Sequence, residues 1–251
     1  MIKSRILLFL SLIFFLMVGN AFAISFGTNI SIWDKVGVTY EDNETEPGTL
    51  TGQVWDLEAF FLDNTTLTIV GGFDFVNGQD GWTSGDIFID INGDAKWGPD
   101  AGGGGGNNPV SNIFGYDYVL DMDFSTMDYS VYSIDSATLT TVFYGQNEEA
   151  NPWTYDSGGQ LVLANQSIDY YTGSDVDGVT LWNGQGTHRA ASVELAFLDP
   201  GTEFVSHFTY ECGNDNLMGS GNTPPTPEPQ TMLLLGTGLI GVAGFKRKFR
   251  Q

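Results

Sequence analysis

The stretch Tyr116-Asp-Tyr-Val-Leu-Asp-Met-Asp-Phe124 alternates apolar and polar side chains, with Val119 as the one exception. Positions 116, 118, 120, 122 and 124 are aromatic or apolar, and three of the four residues between them are aspartates. Successive side chains of a β-strand point to opposite faces of the sheet, so this period of two predicts a half-buried strand. The carboxylates of Asp117, Asp121 and Asp123 would face solvent on its polar side.

Further strand candidates lie on both sides of this stretch, and clusters of Gly, Asn, Asp and Pro separate them. No stretch between residues 24 and 225 has a sustained helical period. The candidates are Ile24–Tyr40, Val54–Leu62, Thr66–Val76, Asp86–Ile91, Ser130–Ile134, Thr138–Tyr144, Gln160–Leu163, Ser167–Tyr171, Val193–Phe197 and Glu203–Cys212. Many short strands joined by turns predict an all-β domain over residues 24–212, an antiparallel β-sandwich of jelly-roll-like type.

The N-terminal end has the layout of a secretory signal peptide. Lys3 and Arg5 precede an apolar run, and Ala21-Phe22-Ala23 fits the small-x-small cleavage rule. We therefore expect a signal peptide over residues 1–23, with cleavage set by Ala21 and Ala23. A retained N-terminal anchor is the alternative.

The C-terminal end, residues 226–251, has three parts in a fixed order. Pro227-Glu228-Pro229 comes first, an apolar run from Met232 to Phe245 follows, and a Lys/Arg cluster ends the chain. The run is shorter than the roughly 20 residues of a permanent membrane span, and its basic end should stay cytoplasmic. The run predicts an apolar helix in transient contact with a membrane. The Gly/Asn/Pro-rich residues 213–225 before it predict a flexible linker.

This tail resembles the PEP-CTERM sorting signal of Gram-negative bacteria, in which a Pro-Glu-Pro motif precedes an apolar, Gly-containing segment and a basic end. The resemblance implies Pro227, Glu228 and Pro229 as the sorting motif. It also implies two partners, the export machinery and exosortase, a transpeptidase-like membrane enzyme. The implied location is the cell surface or extracellular matrix, with the inner membrane as a sorting intermediate. An ordinary tail anchor is the alternative.

The residues between the two ends are strongly acidic. From Ile24 to Pro229 the chain has three basic residues (Lys35, Lys96 and Arg189) and 31 acidic ones, which gives a net charge of −28 with histidine neutral. Such a field repels nucleic acid and attracts cations, so a nucleic-acid partner is disfavoured. The high content of Trp, Tyr and Phe argues against disorder. The single cysteine, Cys212, allows no intramolecular disulfide, which leaves a buried thiol or a bond to another chain.

A candidate calcium site lies between two predicted strands. Its oxygen-bearing side chains have the 1-3-5 spacing of ligands in calcium loops: Asp90, Asn92 and Asp94. The run resembles the start of a dockerin-type calcium loop, but Ala95 and Ala101 stand where that loop has glycine and an acid. These departures argue against a complete EF-hand, and Asp86 or a distant acid would have to complete the Ca²⁺ site. The alternative is an Asn-Gly hairpin turn whose aspartates are turn formers.

A candidate ligand-binding set consists of tryptophans near Gly/Asn-rich turns: Trp82, Trp97, Trp153 and Trp182. Exposed rings on a loop edge could stack on sugar rings, whereas burial in the core is the commoner fate of tryptophan. Five consecutive glycines, Gly102–Gly106, predict a flexible surface loop. The sequence has no G-x-S-x-G, no H-E-x-x-H and no paired cysteines, so we predict no catalytic residues and no enzyme activity.

These features favour a structural or adhesive protein of a polysaccharide-rich matrix. A calcium-stabilised carbohydrate-binding module is the first alternative, and a polysaccharide hydrolase is the second. A binding module predicts exposed aromatic rings at one place, while a hydrolase predicts two carboxylates about 5 to 10 Å apart in a cleft.

Overall fold

The computed structural model describes residues 24–32, 45, 49–173, 176 and 187–226. The signal peptide, Pro227-Glu228-Pro229 and Trp182 lie outside these residues. Three short 3-10 helices occur within them: η1 (Gln53–Trp55), η2 (Gly98–Asp100) and η3 (Gly145–Ala150). The strands are β1 (Thr28–Asn29), β2 (Ser31–Ile32), β3 (Leu57–Asp63), β4 (Thr66–Gly71), β5 (Ile87–Asp90), β6 (Pro109–Ser111), β7 (Tyr118–Asp123), β8 (Asp128–Ser133), β9 (Thr138–Thr140), β10 (Thr154–Ser157), β11 (Gln160–Ser167), β12 (Asp169–Thr172), β13 (Arg189–Glu194), β14 (Glu203–Thr209) and β15 (Asn216–Asn222).

Two antiparallel sheets pack face to face, which confirms the predicted β-sandwich. One has the order β1-β3-β4-β13-β12, and the other has the order β11-β8-β7-β5-β14-β15-β2. Their inner faces meet in one core, whose fully buried members include Phe60, Ile69, Ile89, Leu120 and Phe208. In the described part of the chain, no helix has the length and apolar character needed to cross a membrane.

A third, small sheet (β10-β9-β6) accompanies the seven-stranded sheet and builds a second core with it. Leu139 of the small sheet packs in that core with Phe88 and Val119 of the large one. Both faces of β7 are therefore covered near Val119. The alternating pattern, by contrast, places the Val119 side chain on the face exposed to solvent. Tyr116, expected on the same face as Leu120, also belongs to this second core. Alternation reports only how the two faces of a strand differ, and it carries no information about a further layer.

The segment expected to be a flexible linker, residues 213–225, is instead part of the fold. β15 pairs with β14 from Asn216 to Asn222, and it pairs with β2 on its other side. A Cβ atom at Gly219 would lie 2.7 Å from the Ser206 Oγ and 3.0 Å from Phe60, so glycine allows this strand to pack closely. The Gly/Asn-rich composition therefore reflects tight packing between two neighbouring strands.

Cys212 lies in the main core with 2 % of its surface exposed. Burial raises the pKa of its thiol to about 11, so the sulfur stays protonated. This environment favours a buried apolar side chain over a disulfide with another chain.

Candidate functional site

An aromatic cluster, which we call the aromatic platform, is formed by Trp82, Phe143 and Tyr144. The ring centroid of Trp82 lies 4.9 Å from that of Phe143 and 5.5 Å from that of Tyr144. Phe143 and Tyr144 meet edge to face at 5.0 Å. Their exposed fractions are 42 % and 38 %, so the cluster presents aromatic surface to solvent rather than filling the core.

A pocket of about 300 Å³ opens beside the platform, and we call it the aromatic pocket. Its described lining combines apolar groups with amides and no carboxylate: Thr49, Leu50, Trp55, Trp82, Tyr144, Gln146, Asn147, Cys212 and Asn214. The Asn214 amide is fixed, because it accepts from the Leu50 N–H at 2.8 Å and donates to the Leu50 carbonyl at 2.7 Å. The volume lies at the lower end of the range for small-molecule sites.

A two-residue turn presents Trp82. Gln79 and Trp82 exchange two backbone hydrogen bonds, of 3.0 and 2.9 Å, around Asp80 and Gly81. Both central residues have positive φ, +52° and +90°, as the favoured hairpin turn requires. An Asp-Gly pair tolerates that conformation. The turn fixes the direction in which the Trp82 side chain projects from the backbone.

The five-glycine loop supports the other two rings of the platform. The Gly106 N–H donates to the carbonyls of Val142 and Phe143 at 2.9 and 2.8 Å. A Cβ atom at Gly105 would lie 2.4 Å from the Gly145 nitrogen and 2.9 Å from the Tyr144 carbonyl carbon, so only glycine fits there. The loop expected to be flexible is thus packed against the backbone of the aromatic pair.

Asn151, which is fully buried, ties the glycine loop to Val142. Its Oδ1 accepts from the Val142 N–H at 2.7 Å, and its Nδ2 donates to the carbonyls of Gly102 and Gly104, also at 2.7 Å. One side chain therefore holds both backbone segments that place Phe143 and Tyr144.

Glu211 connects the backbone segments that support the aromatic platform. Its Oε2 accepts from the Thr83 N–H at 3.4 Å and from the Thr83 hydroxyl at 3.2 Å, while its Oε1 accepts from Asn107 at 2.8 Å. Its backbone carbonyl accepts from the Phe143 N–H at 2.8 Å. The turn carrying Trp82, the end of the glycine loop and the aromatic pair therefore meet at this residue.

The structure does not bring together the three predicted tryptophans that it describes. Trp82 lies on the platform, whereas Trp97 precedes η2 and the backbone of Trp153 bonds to Thr140 and Asp86. Among the described residues, neither Trp97 nor Trp153 packs its ring against Trp82. Sequence reasoning missed Phe143 and Tyr144 because both fell inside the predicted strand Thr138–Tyr144. The strand ends at Thr140, and the Gly-Gln-Asn run after Tyr144 was the available signal of a turn.

Asp90, Asn92 and Asp94 lie together in the turn after β5, where the side chains of Asp90 and Asn92 act as turn formers. The Asp90 Oδ1 accepts from the N–H groups of Asn92 and Gly93 at 2.9 Å each, and its Oδ2 accepts from Ala95 at 3.1 Å. The Asn92 Oδ1 accepts from the Asp94 N–H at 3.0 Å. These are the hydrogen bonds of Asx turns, in which a short polar side chain replaces a backbone partner.

Asp117 is a further acid at this turn that the spacing did not predict. Its carboxylate accepts from the Asn92 amide at 3.0 Å and from the Ile91 N–H at 2.7 Å. Partial burial raises the pKa of Asp117, and the negative charges of Asp90, Asp135 and Asp94 raise it further. Within the described ranges, no group of three or more His, Cys, Asp or Glu side chains has an arrangement suited to a metal ion.

Asp86 lies away from that turn, so its expected role as a ligand there is wrong. It directly precedes β5 and Asp90 ends it, which at about 3.3 Å per residue separates their Cα atoms by about 13 Å. Its Oδ1 accepts from the Met122 N–H at 2.8 Å, and its Oδ2 accepts from the Thr154 hydroxyl at 2.8 Å and the Tyr155 N–H at 2.7 Å. Asp86 therefore joins β7 of the large sheet to β10 of the small one.

Comparison with known proteins concerns the C-terminal tail. Residues 225–248 match the family model of the PEP-CTERM protein-sorting motif, which confirms the resemblance of Pro227-Glu228-Pro229 and the run after it. No curated protein and no solved structure matches the chain. The motif indicates a secreted protein that exosortase processes on its way to the cell surface.

Proposed function

We propose that this exported protein binds polysaccharide through the aromatic pocket and has an adhesive role in the extracellular matrix. The observation that carries the proposal is the placement of exposed rings beside an amide-lined pocket. Aromatic faces offer flat apolar surface to the C–H face of a sugar, and amides offer both donors and acceptors to its hydroxyls. Trp82 and Tyr144 supply the aromatic faces, and Gln146 and Asn147 supply the amides.

Two observations favour binding of a neutral glycan over cleavage or over an acidic ligand. Glycoside hydrolysis commonly needs a pair of carboxylates flanking the bond, and the described lining of the aromatic pocket has amides in their place. The net charge of −28 from Ile24 to Pro229 repels uronate-rich polymers. The ligand class proposed is therefore a neutral or N-acetylated polysaccharide.

Replacing Trp82 by alanine is expected to weaken binding of a neutral oligosaccharide at least tenfold, or by about 1.4 kcal/mol. The reason is the loss of one wall of the pocket together with the ring that buttresses Phe143 and Tyr144. A glycan array would select the oligosaccharide, and isothermal titration calorimetry would measure its affinity.

Trp97→Ala is the matched control, since it removes a tryptophan of intermediate exposure that does not line the aromatic pocket. It should leave the affinity unchanged. Equal losses in the two variants, or an array without a neutral hit, would contradict binding at the aromatic pocket.

Calcium binding at the Asp90 turn stays a prediction, and Asp117 gives it a sharper test. A bound ion would relieve the repulsion among Asp90, Asp94 and Asp117, so Ca²⁺ would raise the melting temperature and EDTA would lower it. Asp117→Asn would reduce that response, whereas Asp63→Asn, on exposed surface elsewhere, would keep it. A melting temperature that EDTA leaves unchanged would assign the stability of the turn to the hydrogen bonds of Asp90.

A further inference from the structure

A second pocket, of about 520 Å³, shares none of its described lining residues with the aromatic pocket. We call it the polar pocket. Its polar lining residues are Asp74, Asn77, Tyr170, Thr172, Thr187 and Arg189. Val76 and Met127 add apolar surface, and Val76 is 36 % exposed.

An ion pair on one wall of this pocket is fixed in place. The Arg189 Nη2 lies 3.3 Å from the Asp74 Oδ2, and its Nη1 donates to the Gly72 carbonyl at 2.6 Å. The Asp74 Oδ1 accepts from the N–H groups of Val76 and Asn77 at 3.2 and 3.0 Å. Because the two charges compensate each other, the wall offers oriented donors and acceptors without a net charge.

The Tyr170 hydroxyl is buried and has no hydrogen-bond partner among the described residues. Burial raises the pKa of Tyr170 to about 12, and the negative charge of Asp74 contributes, so the hydroxyl keeps its proton. A buried polar group left without a partner destabilises the folded state. A hydroxyl group of a bound ligand would supply the missing hydrogen-bond partner. The Tyr170 ring is already held in place against Phe75, with ring centroids 6.5 Å apart.

We propose that the polar pocket is a second glycan subsite, which takes a neutral polyhydroxylated ligand such as a sugar ring. Sugar hydroxyls both donate and accept, which matches the Arg189–Asp74 pair, the Asn77 amide and the hydroxyls of Tyr170 and Thr172. Val76 and Met127 would contact the C–H face of the ring. An anionic sugar is disfavoured because Asp74 already compensates Arg189 and the surrounding charge is negative.

Two separate subsites would make the protein bivalent, an inference that rests on the proposed function of the aromatic pocket. One chain segment, the connection from β4 to β5, contributes to both sites: Asp74 and Asn77 line the polar pocket, and Trp82 lines the aromatic one. A protein with two sites can join two polysaccharide chains, whereas a protein with one site can only coat a chain. Binding of one polymer at both sites would also gain from effective concentration.

The test follows two NMR signals of the full chain, the Arg189 Nε–Hε and the Trp82 indole N–H, during titration. The probes are gluco-, manno- and N-acetylglucosamine oligosaccharides, with galacturonate oligomers as the anionic comparator. The expected result is a saturable shift of the Arg189 signal with at least one neutral probe and none with galacturonate. Tyr170→Phe should raise at least fivefold the oligosaccharide concentration at which the Arg189 signal has moved halfway. The corresponding concentration for the Trp82 signal should stay unchanged.

Tyr170→Phe is suited to this test because it keeps the ring packing and removes a hydroxyl that has no described partner. An Arg189 signal that no neutral probe moves, or a midpoint that Tyr170→Phe leaves unchanged, would overturn the second subsite. The Trp82 signal decides the aromatic pocket separately. A shift of the Trp82 signal alone would support glycan binding at the aromatic pocket and contradict bivalency. If neither signal shifts with any neutral probe, both proposals are contradicted.

Discussion

Replacing Asp86 by alanine is expected to lower the free energy of unfolding by about 3–5 kcal/mol, because three donors lose their acceptor in a buried place. The donors are the N–H groups of Met122 and Tyr155 and the hydroxyl of Thr154. Asp86 is 3 % exposed, so water cannot replace the carboxylate without opening the contact between the two sheets. Urea denaturation followed by tryptophan fluorescence measures this loss.

Thr154→Val is the matched control, because it removes a single donor and retains the carboxylate. Its cost should be about 1 kcal/mol. A loss of about 1 kcal/mol or less for Asp86→Ala itself would mean that Asp86 does not hold the small sheet on the large one.

The charge state of the Asp86 carboxyl group can be tested by comparing the stability of wild type and Asp86→Asn as a function of pH. Burial raises the pKa of Asp86 to about 7, and the negative charge of Asp121 contributes, against the opposing effect of its three hydrogen bonds. Between about pH 4 and 7 the folded protein then holds a proton that the unfolded chain releases, so the stability due to Asp86 falls as pH rises. The stability difference between wild type and Asp86→Asn should therefore narrow over this window. A difference that widens would show that the three donors keep the carboxylate ionised.

Replacing Asn151 by alanine is expected to cost about 3–4 kcal/mol of stability and to abolish glycan binding at the aromatic pocket. The substitution leaves the Val142 N–H and the carbonyls of Gly102 and Gly104 without their partner. The glycine loop then loses its connection to the segment that presents Phe143 and Tyr144. Denaturation curves and oligosaccharide titration measure the two effects.

A pair of glycine variants separates support of the rings from overall stability. At Gly105 a Cβ atom would meet the Gly145 nitrogen at 2.4 Å, whereas at Gly145 the nearest atom would be 3.6 Å away. Gly105→Ala should therefore displace Tyr144 and weaken binding at least tenfold, or by about 1.4 kcal/mol, while Gly145→Ala should leave binding within about twofold. Equal effects of the two substitutions would contradict the supporting role of the glycine loop.

The candidate site shows which parts of a surface a sequence can identify. The sequence selects Trp82 because it lies near a Gly/Asn-rich turn, and the structure shows a tight two-residue turn at Asp80 and Gly81 directly before it. Phe143 and Tyr144 were missed because alternation at the end of a strand does not reveal where the strand stops. Asp117 was assigned to a solvent-facing strand surface, and only the folded chain shows its carboxylate bonded to the turn at Asp90.

The sequence by itself determined the sorting tail, the all-β class and the approximate position of most strands, because these depend on local order and on a period of two. Only the tertiary structure decided that residues 216–222 form a strand, that a small sheet covers Val119, and that five glycines support an aromatic platform. Each of these rests on backbone hydrogen bonds and close approaches between residues far apart in the chain. Glycine and asparagine lack an apolar side chain whose periodicity could announce such contacts, so their role appears only when the packed neighbours are known.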